Sequence, residues 1–318
     1  MKVITQKEFD SFPLINGYKQ CPSGDYSKIT LFKERCKFGD NCLFGSFSIF
    51  IRKCLFGKKC IFGYDCNFIQ LCSFGNNCSF GVCCIFGKCC SFGDYCSFGK
   101  LSKFDERCSF GKYCKWEKCC TWEMICEFSE GCSFGEYSRF RENCSFGRNC
   151  RFGEGSSFMK LCKFDECCSF GKGSSLGDKC ILEQDGDFEK DCSFGEHCVF
   201  EDRCNFGEGS SFGKGCIFST CKIGQDSNFG EGCIFEGKCI VENEHITKDI
   251  YSLLVLSGFG SVHKTTFYFF NCEDGIWVRF GSFFGTIEQF REYVKENKTG
   301  IIKKEYLMIS DLVEMKWR

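Results

Sequence analysis

A chain of 318 residues with 33 Cys, 41 Phe and 36 Gly but only 2 Pro is too long for a small secreted disulfide scaffold. Its start, MKVITQKEFDSFPLINGYKQ, lacks the continuous apolar stretch of a signal peptide, so a reducing cytosol with free thiols is expected. No run of about 18 apolar residues occurs, so no membrane span is expected. The net charge of -1 conceals a polarity: residues 1–182 carry 26 Lys and Arg against 19 Asp and Glu, and residues 183–244 carry 5 against 14.

Residues 1–29 read as an N-terminal cap. Thr5 and Glu8 in TQKEF have the spacing of a capping box for a short helix, which Pro13 ends.

From residue 30 to residue 244 the chain repeats every six residues. The unit is C-x-F-G-x-x. Of the 31 sixth-residue positions between Cys36 and Cys216, 24 are Cys, 6 are Ser and one is Gly186. Phe stands two residues after each, except at Trp116, Trp122, Leu176 and Leu182. A five-residue unit, CIFST at 216–220, shifts the phase once before four more units at Cys221, Ser227, Cys233 and Cys239. The first and third positions are two apart, so on a strand both point to one side. The other positions suit a corner and solvent. Each unit is therefore a short strand and a turn, and stacked units bury one continuous core.

The serines set the number of sides. Ser48, Ser102, Ser138, Ser156, Ser174 and Ser210 are all equal modulo 18. Ser227 joins them once the deletion is allowed for. A coil of three units and 18 residues puts them on one face, whereas a four-sided coil scatters them. The expected fold is mainly β: a triangular parallel β-helix solenoid of about 12 coils and roughly 55 Å, followed by a small C-terminal α+β domain.

The pattern of a small residue, a spacer, a large apolar residue and Gly, as in CSFGEY, CLFGKK and CRFGEG, resembles the hexapeptide repeat of left-handed parallel β-helices. The resemblance covers residues 30–244 and supplies the left-handedness. This chain departs from the family in using Phe where Leu, Ile or Val is usual. Cysteine is small and apolar enough to sit beside three rings per layer. The spacing C-x5-C with almost no histidine does not suit a metal site. Parallel Cβ vectors on neighbouring coils are poorly aimed for disulfides. Cys83, Cys89, Cys119 and Cys167 fall at corners and are the expected exposed thiols.

Residues 245–318 are patterned differently. YSLLVLSG (251–258), TTFYFF (265–270) and IWVRF (276–280) read as strands, with NCEDG as a hairpin loop. TIEQFREYVKEN (286–297) is an amphipathic helix with Thr286 as N-cap, and KEYLMISDLVEMKW (304–317) is a second. The stretch LVLSGFGSVHKTTFYFFNCEDGIWVRFG is similar to the C-terminal part of uncharacterised repeat proteins from bacterial and phage genomes. That similarity implies no activity.

Many left-handed β-helices are acyltransferases that use a His base and a loop extruded from the coils. Here no insertion interrupts residues 36–216, and the histidines are His197, His245 and His263. Carbonic-anhydrase chemistry needs three His on adjacent coils, and only His197 lies well inside the array. Cys272 and His263 lack a third member for nucleophilic catalysis. SGFGS (257–261) lacks the third glycine of a phosphate-binding turn. No catalytic, cofactor or metal site is expected.

The surface carries the candidates. Ile181, Val199, Ile217 and Ile234 form an outward apolar stripe. Ile51, Ile69, Leu71, Met124, Ile125, Met159 and Leu161 form a broken ridge along one corner. Glu183, Asp185, Asp187, Glu189 and Asp191 form an acidic cluster that imitates a phosphate backbone in one reading and is simply solvated in the other. The expectation is a non-enzymatic interaction protein of phage or mobile-element origin in the host cytosol, binding a protein partner. One version is an inhibitor of a nucleic-acid-processing or defence enzyme. Nucleic acid binding by the basic half, self-assembly into a homo-oligomer and an acyltransferase-like enzyme are the alternatives.

Overall fold

The computed structural model describes every residue except 225–226, 231–232, 237–238, 242–248, 260–264, 273–274, 282 and 318. It is a mainly β parallel solenoid of about 12 coils with a small C-terminal domain of antiparallel sheet and helices. The chain divides into two compact units, Met1–Ile181 and Leu182–Arg318.

In the first unit each six-residue repeat supplies one side of a three-sided coil. The first face carries the column that starts at Cys36, the second the column from Cys42 and the third the column from Ser48. Strands pair in register with a step of 18 residues, as in Ser73↔Ser91, Ser79↔Ser97 and Ile85↔Lys103. The side that begins at Cys60 shows the recurring pattern, three backbone hydrogen bonds donated to the coils before and after it. The N–H groups of Ile61 and Gly63 reach back to Cys42 and Phe44 at 2.9 and 3.0 Å, and that of Asp65 reaches forward to Val82 at 3.0 Å. The last of these requires a corner bent into the left-handed region. From Asn41 to Gly215 the sixth residue of the unit, Lys53 excepted, has φ between +53° and +72°.

The core is built from rings and thiols. Phe50, Phe68 and Phe86 stack with centroids 4.8 and 4.9 Å apart and planes within 3°. Each column meets its neighbours edge to face, as in Phe74 against Phe80 at 4.9 Å and 90°. Three rings per layer are therefore mutually perpendicular, which satisfies the ring quadrupoles in both directions. Trp116 and Trp122 take ring positions without breaking the stacks. Their indole Nε1 atoms are buried and have no hydrogen-bond partner.

The cysteines fill the space beside the rings. Cys36, Cys54, Cys72, Cys90, Cys108, Cys126, Cys144, Cys162 and Cys180 form one unbroken buried column. Many reach a backbone carbonyl of the coil below, as Cys78 Sγ does to Gly57 O at 3.4 Å. The serines of the third face, with shorter reach, bond within their own coil. Ser48, Ser102, Ser138, Ser156 and Ser174 each donate to the carbonyl of a glycine three residues back, at 2.6–2.7 Å. All 33 cysteines are free thiols. The four corner cysteines lie where the spacing predicts: Cys89 and Cys167 are exposed, Cys83 and Cys119 half-buried. Ellman's reagent at neutral pH is expected to react rapidly with no more than these four, and with all 33 after denaturation. Rapid reaction of further thiols in the native protein would show that the columns open.

The N-terminal end is closed by α1 (Gln6–Ser11), whose Thr5–Glu8 capping box is present. A buried lysine ties it down. Lys19 Nζ donates to the last carbonyls of α1, Phe9 and Asp10, at 3.2 and 3.3 Å, pairs with Glu34 at 3.0 Å and sits 4.7 Å from the Phe9 ring centre.

In the second unit the five-residue unit at 216–220 shortens the step to 17, as in Ser211↔Asn228 and Ile217↔Ile234, yet every residue keeps its face. Gly186 replaces a column cysteine because the Leu182 side chain leans into that slot, where a Cβ would collide with it. The last coil does not end freely. Cys239–Val241 pairs antiparallel with Asp249–Phe259, which leads into a meander of Thr265–Cys272, Gly275–Phe280 and Phe283–Thr286. Two helices, α2 (Ile287–Asn297) and α3 (Gly300–Trp317), cover one side of this sheet around Phe267, Phe269, Val278, Phe280, Phe290, Tyr306 and Val313. Thr286 caps α2 with Gln289 completing a capping box. The fourth strand of the meander and the first turn of α3 are not apparent in the sequence pattern.

Candidate functional site

The third face of the first coils is apolar on its outer side. Leu31, Ile49, Asn67 and Ile85 face outward in register on successive coils. Ile51 and Ile69 follow two residues later on the same face, and Leu71 stands at the next corner. On the preceding corner the exposed rings of Phe47 and Tyr64 meet edge to face at 5.0 Å, followed by half-buried Val82 and Cys83. Eight of these residues, Leu31, Phe47, Ile49, Ile51, Tyr64, Ile69, Leu71 and Ile85, are each 38–56% exposed. They form one panel that wraps a flat sheet face and both of its edges. The panel stops sharply: the next outward positions on this face are Lys103, Thr121, Arg139, Ser157 and Ser175. Lys33, Arg35 and Arg52 are exposed along one rim.

The backbone makes these choices costly. Phe47 and Leu71 hold φ of +59° and +55°. Asn or Gly adopts that conformation with far less strain, and a large side chain there gives up about 1 kcal/mol. The same left-handed corner carries Asn41 and Asn77 but also Tyr95, Leu101, Tyr113 and Tyr137, so this cost is general to the coil and does not single out the panel.

Three members of the expected ridge, Ile51, Ile69 and Leu71, belong to this panel. Met124, Ile125, Met159 and Leu161 lie further along the same corner. Ile125, Met159 and Leu161 are exposed and Met124 is half-buried, and charged or polar residues interrupt them. The expected stripe points outward: Val199, Ile217 and Ile234 stand in register, with Ile234 50% exposed, and Ile181 is half-buried in its own unit. In the acidic cluster, Asp185 is held by a bidentate pair with Arg203 at 2.7 Å, and Asp187 accepts from Asn205 Nδ2 at 2.9 Å. The carboxylates of Asp185 and Asp187 are thus answered within the protein.

Leu31, Phe47, Ile49, Tyr64 and Ile85 are the panel residues that a corner-by-corner reading misses. They are scattered in sequence and meet only when positions 16 to 21 residues apart are superposed.

Chemistry is sparse among the described residues. No group of three or more His, Cys, Asp or Glu is placed to hold a metal ion. His197 is an exposed corner residue whose ring lies over Gly215. His245 and His263 fall outside the described residues, as does part of SGFGS, while Cys272 is buried. An open hollow of about 650 Å³ on the third face is lined by Lys103, Thr121, Glu123, Arg139, Arg141, Ser157 and Met159, with Arg141 paired to Glu123 at 3.1 Å. It contains no histidine or cysteine. Among the described residues no helix is long and apolar enough to cross a membrane.

No family model, no curated protein and no solved structure matches the chain.

Proposed function

We propose that this protein is a non-enzymatic solenoid that works by binding a protein partner, and that the apolar panel is its binding surface. The observation that carries the reading is the panel itself. Its eight exposed residues present on the order of 750 Å² per molecule, close to the ~800 Å² that one side of a standard protein interface buries. The surface is flat and backed by a stacked aromatic core, so little order is lost on docking. The cationic rim calls for a partner with an apolar strip flanked by acidic residues.

The finer reading follows the C-terminal resemblance. It supports a phage or mobile-element protein acting in the host cytosol, where 33 free thiols stay reduced. Inhibition of a host nucleic-acid-processing or defence enzyme is one form of such binding. The contacts of Asp185 with Arg203 and of Asp187 with Asn205 favour the panel over phosphate mimicry as the contact.

The test is capture of a partner from host lysate by the full-length protein, with and without nuclease. The double variant Phe47→Asn/Ile49→Ser removes panel area without touching the core. It is expected to lower affinity for the captured partner at least tenfold, while Ser97→Ala on the second face leaves it unchanged. Equal binding by the panel variant would overturn the assignment. Capture that disappears only with nuclease would favour nucleic acid instead.

A further inference from the structure

The first coils carry positive charge that the protein leaves unanswered. Arg35, Arg52 and Lys53 stand at the corner before the first face, Lys37 points outward from the face, and Lys58 and Lys59 stand at the corner after it. Lys53 is half-buried and the other five are exposed. Between Asn41 and Tyr64 the chain contains no Asp or Glu. Further along the first unit a cation meets an acid one coil away, as Lys88 does Glu106, Lys112 Glu130 and Arg148 Glu166, at 3.1–3.2 Å. The first coils lack that arrangement. One coil on, Lys58 and Lys59 meet Asn76 and Asn77, Lys37 meets Leu55, and Arg35 meets another cation, Lys53. The two nearby carboxylates are used otherwise. Glu34 pairs with buried Lys19 at 3.0 Å, and Asp40 accepts the backbone N–H of Lys58 at 2.7 Å. Among the described residues none of the six cations is in an ion pair.

We propose that this face of the first coils binds the phosphate backbone of a nucleic-acid duplex, without regard to sequence. Six unpaired cations on two corners and the face between them repel one another, and a polyanion relieves that repulsion. The chemistry between the corners selects the occupant. The outward positions there are Lys37, Gly39, Leu55, Gly57, Ser73 and Gly75. A protein partner needs an apolar or aromatic centre to bury, and one half-buried leucine does not supply it. A single strand needs rings on which its bases stack, and these positions hold none. Phosphates need only cations and hydrogen-bond donors that they can approach closely, which lysine, serine and glycine provide. The site is separate from the apolar panel on the third face, although Arg35 and Arg52 border both.

Fluorescence anisotropy of a labelled, mixed-sequence DNA duplex with the full chain tests it. The dissociation constant is expected to be about 1–10 µM at 50 mM salt, and the affinity to fall roughly 500-fold by 200 mM, the dependence given by about five neutralised phosphates. Lys37→Ser/Lys58→Asn/Lys59→Asn copies Ser73, Asn76 and Asn77 from the same columns, and asparagine suits the φ of +59° at Lys59. It is expected to lower affinity at least tenfold and to flatten the salt dependence by nearly three phosphates. Lys115→Ser/Arg151→Ser/Lys163→Ser removes the same charge from later coils and is expected to cost less than about threefold. Phe47→Asn/Ile49→Ser is expected to bind the duplex like wild type. No binding by 100 µM protein at 50 mM salt would overturn the proposal, as would equal losses from the two triple variants. Displacement of the duplex by polyglutamate at equal charge would assign the face to an acidic protein instead. Tighter binding of a single strand or of inorganic polyphosphate than of the duplex would overturn the choice of a duplex. Loss of binding in the panel variant alone would assign the contact to the panel.

Discussion

Raising the pH from 9 toward 10 is expected to destabilise this protein by about 4 kcal/mol, and a further rise toward pH 11.5 to unfold it. The cause is the thiol columns. Burial pushes the Cys120 thiol up to about 12 from an ordinary value of 9.0. Cys96 and Cys114 are likewise pushed up to about 12, by the adjoining thiols Cys114 and Cys132 and then by burial. Along the first face Cys54, Cys90, Cys126 and Cys162 are driven upward by their column neighbours and by burial. Donation from Cys54 and Cys90 would favour a thiolate at Cys72, yet burial opposes it, and an anion there forbids ionisation of both neighbours. Cys60, Cys108 and Cys144 are drawn down in the same way by hydrogen bonds from their column neighbours, so the alkaline loss rests on Cys96, Cys114 and Cys120, which hold their protons. The folded-state values are raised, so this stability is complete below pH 9 and is lost as the pH climbs toward 12. At pH 10 each such thiol releases its proton in the unfolded chain but not in the folded one, which costs about 1.4 kcal/mol. Cys96, Cys114 and Cys120 alone then remove about 4 kcal/mol, a large share of a typical domain's 5–15 kcal/mol. Circular dichroism against pH in the presence of reductant measures it. Cys120→Ser, which copies the serines of its own column, is expected to move the midpoint slightly upward. Native structure persisting at pH 11.5 would contradict the account.

The same columns show why the coil is legible in the sequence. A period of six with inward positions two apart admits only a strand and a corner. The serines sit on one face because the coil has three sides, and Ser48 and its equivalents are buried along the third face. The corner thiols are legible for the same reason. The capping boxes at Thr5 and Thr286 are legible because they are local. What stays hidden depends on superposing coils or on long-range pairing. Phe47, Ile49 and Tyr64 look unrelated until the 18-residue step brings them together. Leu71 reads as a corner residue, and nothing near it in sequence announces Ile85 on the next coil. The strand Phe283–Thr286 has only four residues and includes a glycine, so its pattern is too short to detect. The first turn of α3, Gly300–Lys303, begins on a glycine with φ of +58°, which masks its start. The pairing of Cys239–Val241 with Asp249–Phe259 joins a parallel face to an antiparallel meander. No local motif encodes that junction.

Truncating a ring in the middle of the first unit is expected to be as damaging as the alkaline shift. Phe86 is fully buried, stacked between Phe68 and Phe104 at 4.9 and 4.8 Å, and edge to face with Phe80 and Phe92 at 5.0 Å. Phe86→Ala removes a phenyl from a site that cannot collapse, because the backbone ladder holds the coils at a fixed spacing. The loss is expected to be about 3–5 kcal/mol. The consequence should depend on position. A solenoid is nearly one-dimensional, and each coil leans only on its neighbours. Phe32 is equally buried but belongs to the first coils, where it packs on Phe9 and Tyr26 of the cap region. Phe32→Ala is therefore expected to open that end locally. Amide exchange should accelerate in residues 4–32, while the midpoint of global unfolding moves little. Phe86→Ala should lower the denaturant midpoint of the whole unit, because no end is near enough to fray instead. Equal effects from the two substitutions would mean that the unit folds as one cooperative globule. A loss below about 1 kcal/mol at Phe86 would mean that the stacked rings relax into the gap, contrary to the rigidity on which docking at the apolar panel depends.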